Sequence, residues 1–337
     1  MTKIDIYSGF LGAGKTTLIK KMIAEGYQGQ KLVLIENEFG EIGIDGGFLQ
    51  DAGINITEMN SGCICCSLVG DFSKALEQVI EQYHPDRVII EPSGVGKLSD
   101  VIGAVNKVIG HDVEIGYTVA VADANKVKVY MKNFGEFYNN QIETASTIIL
   151  SRTDSIGEEK LHKAVELLRE HNAAATVVTT PWDELTGAQL VDAMEGTATI
   201  EKALEEMKEE HHHEHHHEHG EHCGCGHHHE GHHEHGEHCE CGHDHHADEV
   251  FTAWGVETAK KFTVGQIQAA LASLDSGRFG MILRAKGIVP CADGGWIHFD
   301  FVPGEENVRL GSADIIGKLC VIGSQLDESG VASVFGL

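Results

Sequence analysis

A glycine-rich segment has the residue types and the spacing of a phosphate-binding loop. Residues 9–17 read Gly-Phe-Leu-Gly-Ala-Gly-Lys-Thr-Thr, which fits the pattern G-x-x-x-x-G-K-[ST]. The glycines allow the backbone N–H groups to face an anionic phosphate, and the helix expected next adds its positive end. We expect Lys15 to reach the terminal phosphates and the Thr16 hydroxyl to bind Mg²⁺. The predicted nucleotide-binding residues are Gly9, Gly12, Ala13, Gly14, Lys15, Thr16 and Thr17.

Two carboxylates end apolar runs further along the chain, at Glu91 and Asp123. Ligands of an open parallel sheet bind at the carboxyl ends of its strands, so both side chains are expected beside the phosphate loop. Glu91 can hold Mg²⁺, directly or through water, or it can position the attacking water. We therefore predict Lys15 and Glu91 as catalytic residues. Asp123 is either a further carboxylate of this edge or the N-cap of the next segment.

Asp154 indicates which base the nucleotide carries. It ends Ser151-Arg152-Thr153-Asp154, directly after the apolar run 147–150. A carboxylate can accept hydrogen bonds from both N1–H and the exocyclic amine of guanine, whereas adenine offers one acceptor and one donor at that edge. The sequence therefore favours GTP. An ATP-dependent small-molecule kinase would also explain the phosphate loop, but it would leave Asp154 and the cysteines described next without a role.

Three thiols within four residues, at positions 63, 65 and 66, form a candidate transition-metal site. Thiolates bind Zn²⁺ and similar ions, and ligation keeps them deprotonated. This loop can supply two or three ligands, and the remainder can come from a nearby carboxylate, from water or from a second subunit. A second subunit would give a homodimer that depends on nucleotide or metal. The candidate ligands are Cys63, Cys65 and Cys66, with Glu36, Glu38 or Glu41.

Residues 211–246 contain only His, Asp, Glu, Gly and Cys. Because no apolar side chain is available for a core, we expect this tract to be disordered without metal. It carries two Cys-x-Cys pairs flanked by histidines, each able to assemble a Cys₂His₂-like shell. We predict a metal reservoir that uses Cys223, Cys225, His227, Cys239, Cys241 and His243.

The pattern of apolar residues indicates the elements that position these groups. Strand-like and helix-like runs alternate over residues 1–198, which predicts an α/β phosphate-loop domain with a parallel sheet. Residues 199–248 form the charged and His-rich linker, and residues 249–337 predict a small α+β domain. In that domain the segment Thr263-Val264-Gly265-Gln266 resembles a capping box, and Cys291 and Cys320 are expected to be buried and inert.

Composition excludes several classes of partner. Acidic residues outnumber basic ones by 52 to 25, for a net charge of −27, which argues against nucleic acid and against anionic membranes. No apolar run is long enough to span a bilayer, and a strand predicted from residue 4 leaves no room for a signal peptide. We therefore expect a cytoplasmic protein, in which the nine cysteines serve as ligands, reactive thiols or core residues.

With these motifs, the chain resembles the CobW family of metallochaperone GTPases over nearly all of its 337 residues. The Cys63-Ile64-Cys65-Cys66 motif is the most specific mark. The resemblance implies a fold related to the nickel-insertion GTPases of urease and hydrogenase maturation, and Zn²⁺ or Co²⁺ at the cysteine motif. It also implies a client, either a metalloprotein or a cofactor-biosynthesis enzyme such as one of the cobalamin pathway. Ser151 and Arg152 replace the family's usual Asn-Lys, although Arg152 can still lie against the purine.

We expect a switch in which binding of GTP assembles the thiolate site and hydrolysis of GTP weakens its hold on the metal. The alternative is a metal buffer or storage protein, in which the His-rich tract holds the metal and nucleotide binding is regulatory or vestigial.

Overall fold

The computed structural model describes residues 1–36, 55–56, 69–110, 112–196 and 252–337. The first four ranges form one sheet with its helices, and the last range forms another. The predicted linker, residues 199–248, lies outside the described residues. None of the helices in these ranges has the length and apolar character that crossing a bilayer requires.

The N-terminal sheet has seven parallel strands in the order β3-β2-β4-β1-β5-β6-β7. Several strands, β4 and β6 among them, have an unbroken apolar run at their centre, as expected for a sheet covered on both faces. The strands are β1 (Thr2–Gly9), β2 (Leu32–Glu36), β3 (Asn55–Ile56), β4 (Arg87–Glu91), β5 (Val113–Asp123), β6 (Thr147–Ser151) and β7 (Thr176–Val178).

Helices cover both faces of this sheet and give the domain two apolar cores. One core contains residues of α2 to α5, and the other contains residues of α1 and α6. A π-helical turn, Met22–Gly26, continues α1, and a 3₁₀ turn, Trp182–Glu184, precedes α6. The helices are α1 (Lys15–Lys21), α2 (Val69–Tyr83), α3 (Leu98–Val105), α4 (Val127–Thr144), α5 (Glu158–His171) and α6 (Gly187–Met194).

A buried polar network joins the first strands. Asp5 is fully buried and accepts hydrogen bonds from Arg87 at 2.5 Å, from the Tyr27 hydroxyl at 3.0 Å and from the Tyr117 N–H at 3.0 Å. The Arg87 guanidinium lies 4.5 Å and 5.0 Å from the ring centroids of Tyr27 and Tyr117. Burial raises the pKa of Asp5, although Arg87 acts in the opposite direction. Arg87 is level with Lys3 at the start of β1, so the network lies away from the phosphate loop.

The C-terminal residues form an antiparallel sheet in the order β11-β10-β9-β12-β8. Two helices pack on one face, where Leu271 and Val331 join a core with Phe299. The predicted capping box of Thr263 and Gln266 is confirmed at the start of α7. The elements are β8 (Thr252–Thr258), α7 (Val264–Leu274), β9 (Met281–Pro290), β10 (Trp296–Val302), β11 (Glu305–Gly311), β12 (Gly317–Ser324) and α8 (Glu328–Val334).

The segment between β11 and β12 packs against the N-terminal domain. Ile315 and Ile316 are each 1% exposed and belong to the same apolar core as Leu18 of α1. The backbone N–H of Thr179, just after β7, donates to Ile315 O at 2.9 Å. The fold class is thus as predicted, a parallel α/β phosphate-loop domain and a small α+β domain, with a direct contact between them.

Candidate nucleotide site

The phosphate loop connects β1 to α1 in a conformation that requires glycine. Gly9, Gly12 and Gly14 have φ angles of +144°, +66° and +103°. A β-carbon on Gly9 would lie 2.3 Å from the carbonyl oxygen of Val121 on the neighbouring strand. The three glycines therefore suit the positive φ angles of the turn, and Gly9 also allows its close approach to β5.

Lys15 and Thr16 occupy the first turn of α1. Lys15 is 8% exposed, and its Nζ donates to the carbonyl oxygen of Gly9 at 3.0 Å, so the ammonium lies across the loop. The Thr16 hydroxyl donates to both carboxylate oxygens of Glu91, at 3.0 and 3.1 Å. The structure thus brings together the two residues that the sequence predicted as magnesium ligands. No side chain caps the start of α1.

A second carboxylate lies beside Glu91. The parallel register of β2 and β4 pairs Glu36 with Glu91, and both residues end their strands. Paired residues of neighbouring strands are about 4.8 Å apart and their side chains leave the same face of the sheet. Glu36, predicted as a transition-metal ligand, is therefore next to the carboxylate that contacts Thr16.

The loop after β6 carries the predicted base-binding residues. Arg152 has a φ of +56° and forms an ion pair with Asp123. Its other terminal nitrogen donates to the carbonyl oxygen of Gly12 at 2.9 Å, which ties this loop to the phosphate loop. Asp154 is exposed, as a carboxylate that is to meet a base must be.

Of the two roles that the sequence left open for Asp123, the N-cap is wrong, because α4 begins after Lys126 and no side chain caps it. The Oδ1 of Asp123 accepts from the backbone N–H of Asn125 at 2.9 Å, which closes the turn before α4. Its other oxygen holds Arg152. Asp123 therefore acts on the site through Arg152.

Three contacts around the loops were not predicted from the sequence. Gln141 of α4 donates to the carbonyl oxygens of Gly94 and Gly96, at 3.2 and 2.7 Å, and so holds the loop that follows Glu91. Phe10 of the phosphate loop packs on Tyr130 of α4, with 4.7 Å between ring centroids. Trp182 lies against Gly14, where a β-carbon would be 3.0 Å from its ring. Only Trp182 carried a signal in the sequence, because few residues in this chain are tryptophan.

The predicted transition-metal residues other than Glu36 lie outside the described residues. This applies to the thiolate loop and its acidic neighbours, and to the ligands of the His-rich tract. They are Cys63, Cys65, Cys66, Glu38 and Glu41, and Cys223, Cys225, His227, Cys239, Cys241 and His243. Within the described ranges, His, Cys, Asp and Glu form no group of three or more that could hold a metal ion.

Comparison with known proteins identifies relatives of the N-terminal domain. The family model described as CobW/HypB/UreG, nucleotide-binding domain, matches residues 3–179. The chain is 34% identical over 184 residues to the zinc chaperone YjiA of Escherichia coli (strain K12), covering 52% of this chain and 56% of YjiA. It is 30% identical over 155 residues to the zinc chaperone YeiR of the same organism, covering 46% of this chain and 47% of YeiR.

A third relative is the zinc chaperone CobW of Sinorhizobium sp, 30% identical over 223 residues. That match covers 57% of this chain and 62% of the relative. The chain thus spans about half the length of the curated relatives it matches.

Proposed function

Because the chain belongs to the CobW/HypB/UreG family, we propose that it is a metallochaperone that hydrolyses GTP while delivering Zn²⁺ or Co²⁺ to a client. The client is a metalloprotein or a cofactor-biosynthesis enzyme, such as one of the cobalamin pathway. The names of the relatives, all zinc chaperones, favour zinc. The observation that carries the proposal is the contact of Thr16 with Glu91 of β4, directly after a phosphate loop that the Lys15 ammonium crosses.

The hydroxyl and carboxylate oxygens of Thr16 and Glu91 suit magnesium, which prefers oxygen ligands in proteins. The two side chains would hold the ion directly or through water. Mg²⁺, when bound, offsets the negative charge of the β- and γ-phosphates. Lys15 is placed to exchange the Gly9 carbonyl oxygen for a phosphate oxygen, because its ammonium already lies over the loop.

Turnover of GTP tests the catalytic assignment. Replacing Glu91 by Gln removes the charge and keeps the shape, and we expect the rate of hydrolysis to fall about tenfold or more. The matched control is Glu170→Gln on the exposed surface of α5, which should leave the rate unchanged. Equal rates in the two variants would contradict the role of Glu91.

The preference for guanine is tested at Asp154. Asp154→Ala should weaken binding of GDP and GTP and leave the weaker binding of ATP unchanged, because only guanine uses the carboxylate. Isothermal titration with the three nucleotides measures both effects. A wild-type protein that binds ATP as tightly as GTP would contradict the proposal.

The metal step is proposed at Cys63, Cys65 and Cys66, with Glu36 or Glu41 as a further ligand. We expect a non-hydrolysable GTP analogue to tighten zinc binding relative to GDP, and zinc to tighten binding of the analogue by the same factor. Cys65→Ser should remove this difference, whereas Cys320→Ala, which alters a thiol buried in the C-terminal sheet, should not. Equal zinc affinities with both nucleotides would refute the coupling.

The competing proposal is a metal buffer that uses the His-rich tract. A buffer needs no turnover, so GTP hydrolysis that rises on addition of Zn²⁺ or Co²⁺ favours the chaperone. The same samples can be tested for a homodimer that forms on binding nucleotide or metal, by light scattering. We place the protein in the cytoplasm, where thiols stay reduced and free to bind metal.

A further inference from the structure

Trp182 occupies a position between the two loops of the nucleotide site. Its indole N–H donates to the carbonyl oxygen of Leu150 at 3.0 Å, one residue before Ser151, where β6 ends and the base loop follows. On the other side, a β-carbon on Gly14 would lie 3.0 Å from Cη2 of the same ring and 3.9 Å from Cβ of Ser151. The half-buried indole therefore contacts the phosphate loop while it is hydrogen-bonded to the strand that carries the base loop.

The segment that carries Trp182 is held by the C-terminal domain. The Thr180 hydroxyl donates to the carbonyl oxygen of Asp314 at 2.6 Å and lies 3.0 Å from that of Ile315. Both Thr179 and Thr180 also donate their backbone N–H groups to Ile315 O, at 2.9 and 3.2 Å. The C-terminal domain therefore fixes the backbone two residues before the tryptophan.

The C-terminal domain also contacts the residues that follow Trp182 in the chain. The indole N–H of Trp296, on β10, approaches a carboxylate oxygen of Glu184 at 3.4 Å. Gln189, at the start of α6, donates to the carbonyl oxygen of Ala313 at 2.6 Å. The 3₁₀ turn Trp182–Glu184 is thus bounded by the C-terminal domain before and after it.

We propose that Trp182 is a positioning residue of the nucleotide site, through which the C-terminal domain holds the phosphate loop and the base loop in their binding geometry. The inference rests on the proposed function, since it assumes that the site binds a nucleotide. A ring with only two side-chain torsions, one hydrogen bond and a close backbone neighbour is a rigid support. Rigid support lowers the ordering cost of binding, so its loss appears as weaker affinity and faster release.

The experiment measures dissociation constants and release rates for GDP and a non-hydrolysable GTP analogue. We expect Trp182→Ala to weaken both nucleotides about tenfold or more, mainly through faster release. Trp182→Phe, which keeps a ring and loses the N–H donor, should weaken them several-fold. Thr180→Val removes the side-chain bonds to the C-terminal domain without touching the loops, and it should also weaken binding. The control is Trp254→Phe, whose ring stacks on Phe335 within the C-terminal domain.

A spectroscopic readout shows whether a bound nucleotide lies near Trp182. In a Trp254→Phe/Trp296→Phe variant, which also loses the contact of Trp296 with Glu184, Trp182 is the remaining tryptophan of this chain. Excitation energy should transfer from Trp182 to a fluorescent GDP analogue when that analogue binds, which lowers the tryptophan emission. Thermal unfolding and circular dichroism establish which variants are folded.

The outcomes separate cleanly. A wild-type protein that binds no nucleotide would overturn the proposed function together with this inference. A wild-type protein that binds, with a folded Trp182→Ala variant of equal affinity, would overturn the inference alone. If Trp182→Ala does not fold, Trp182→Phe decides, and unchanged affinity and release rate in that variant would overturn the inference.

Discussion

The buried pair of Asp5 and Arg87 should control the stability of the N-terminal domain in a pH-dependent way. In Arg87→Met the Asp5 carboxyl, which is 0% exposed, loses its cation. Removing one partner of a buried ion pair costs about 3–5 kcal/mol, and we expect a loss of this size in the free energy of unfolding at neutral pH.

The sign of the pH dependence follows from the pKa of Asp5. Burial already raises that pKa, and Arg87 is the main influence that lowers it. Without Arg87 the pKa in the folded state rises further above the unfolded value, so the folded state binds the proton more tightly. Stability gained from that proton is present at low pH and is lost as pH rises towards the folded pKa. The penalty of Arg87→Met should therefore be smaller at pH 5 than at pH 8, by about 1.4 kcal/mol for each unit of additional shift within that range.

A double variant provides the matched control. Asp5→Asn/Arg87→Met removes both charges and keeps an amide oxygen for the N–H of Tyr117. Because no uncompensated charge remains, we expect it to be more stable than Arg87→Met at pH 8, and its free energy of unfolding should lack the pH dependence that the Asp5 carboxyl causes.

Urea denaturation followed by circular dichroism measures the wild type, Arg87→Met, the double variant and a comparison variant, Asp300→Ala, at both pH values. Asp300→Ala opens a partly exposed pair with Arg284 and should cost less than about 1 kcal/mol. A penalty for Arg87→Met below 1 kcal/mol, or one equal at pH 5 and pH 8, would refute the reasoning.

Three further predictions follow from local contacts. Gly9→Ala places a methyl group 2.3 Å from a backbone oxygen and should abolish nucleotide binding in titrations. The control is Gly103→Ala on α3, where the added methyl group meets open space and nucleotide binding should be normal. Normal binding by both variants would contradict the argument. Cys291 and Cys320 are buried, and burial raises the pKa of Cys320 to about 11. Iodoacetamide at pH 8 should therefore label these two thiols only after unfolding in urea, which mass spectrometry detects. Rapid labelling of both thiols in the folded protein would contradict their burial. Thr263→Ala removes the cap of α7 and should lower the free energy of unfolding by about 1 kcal/mol in urea titrations, and no loss would argue against the capping box.

The phosphate loop and the strands that flank it were predictable because each signal is local. The glycine spacing, the apolar runs and the strand-ending carboxylates need no distant contact to be recognised. The observed contact of Thr16 with Glu91 brings together two residues chosen from these local patterns alone.

The features of the elements that were not predicted include a strand start, a polar edge strand and an irregular helix. β5 begins at Val113, four residues before the segment from Tyr117 to Ala122 that the sequence pattern alone predicts as a strand. Its Gly116 weakens the strand signal, and it is needed because a β-carbon there would lie 2.2 Å from a carboxylate oxygen of Asp5. Similarly, β11 is a polar and mostly exposed strand that is defined by pairing with β10. The helix α4 contains a residue with non-helical torsions, Phe134, which interrupts the periodicity.

The contact of Trp182 with Gly14 illustrates the same limit within the site. The two residues are 168 positions apart, and nothing in the spacing of either motif relates them. Arg152 is a milder case, since its position in the base loop was predicted but its ion pair with Asp123 was not.

The seating of Ile315 and Ile316 in the core of the N-terminal domain bears on how such proteins can be recombined. Consider a chimera that takes its nucleotide domain from one relative and its C-terminal domain from another. The side chains at positions 315 and 316 would have to match the apolar core of the nucleotide domain in size and shape. Mismatched halves would leave either a void or a steric clash in the apolar core that contains Leu18, two residues beyond Thr16. We therefore expect substitutions at positions 315 and 316 to be accompanied by compensating substitutions in the core of the N-terminal domain.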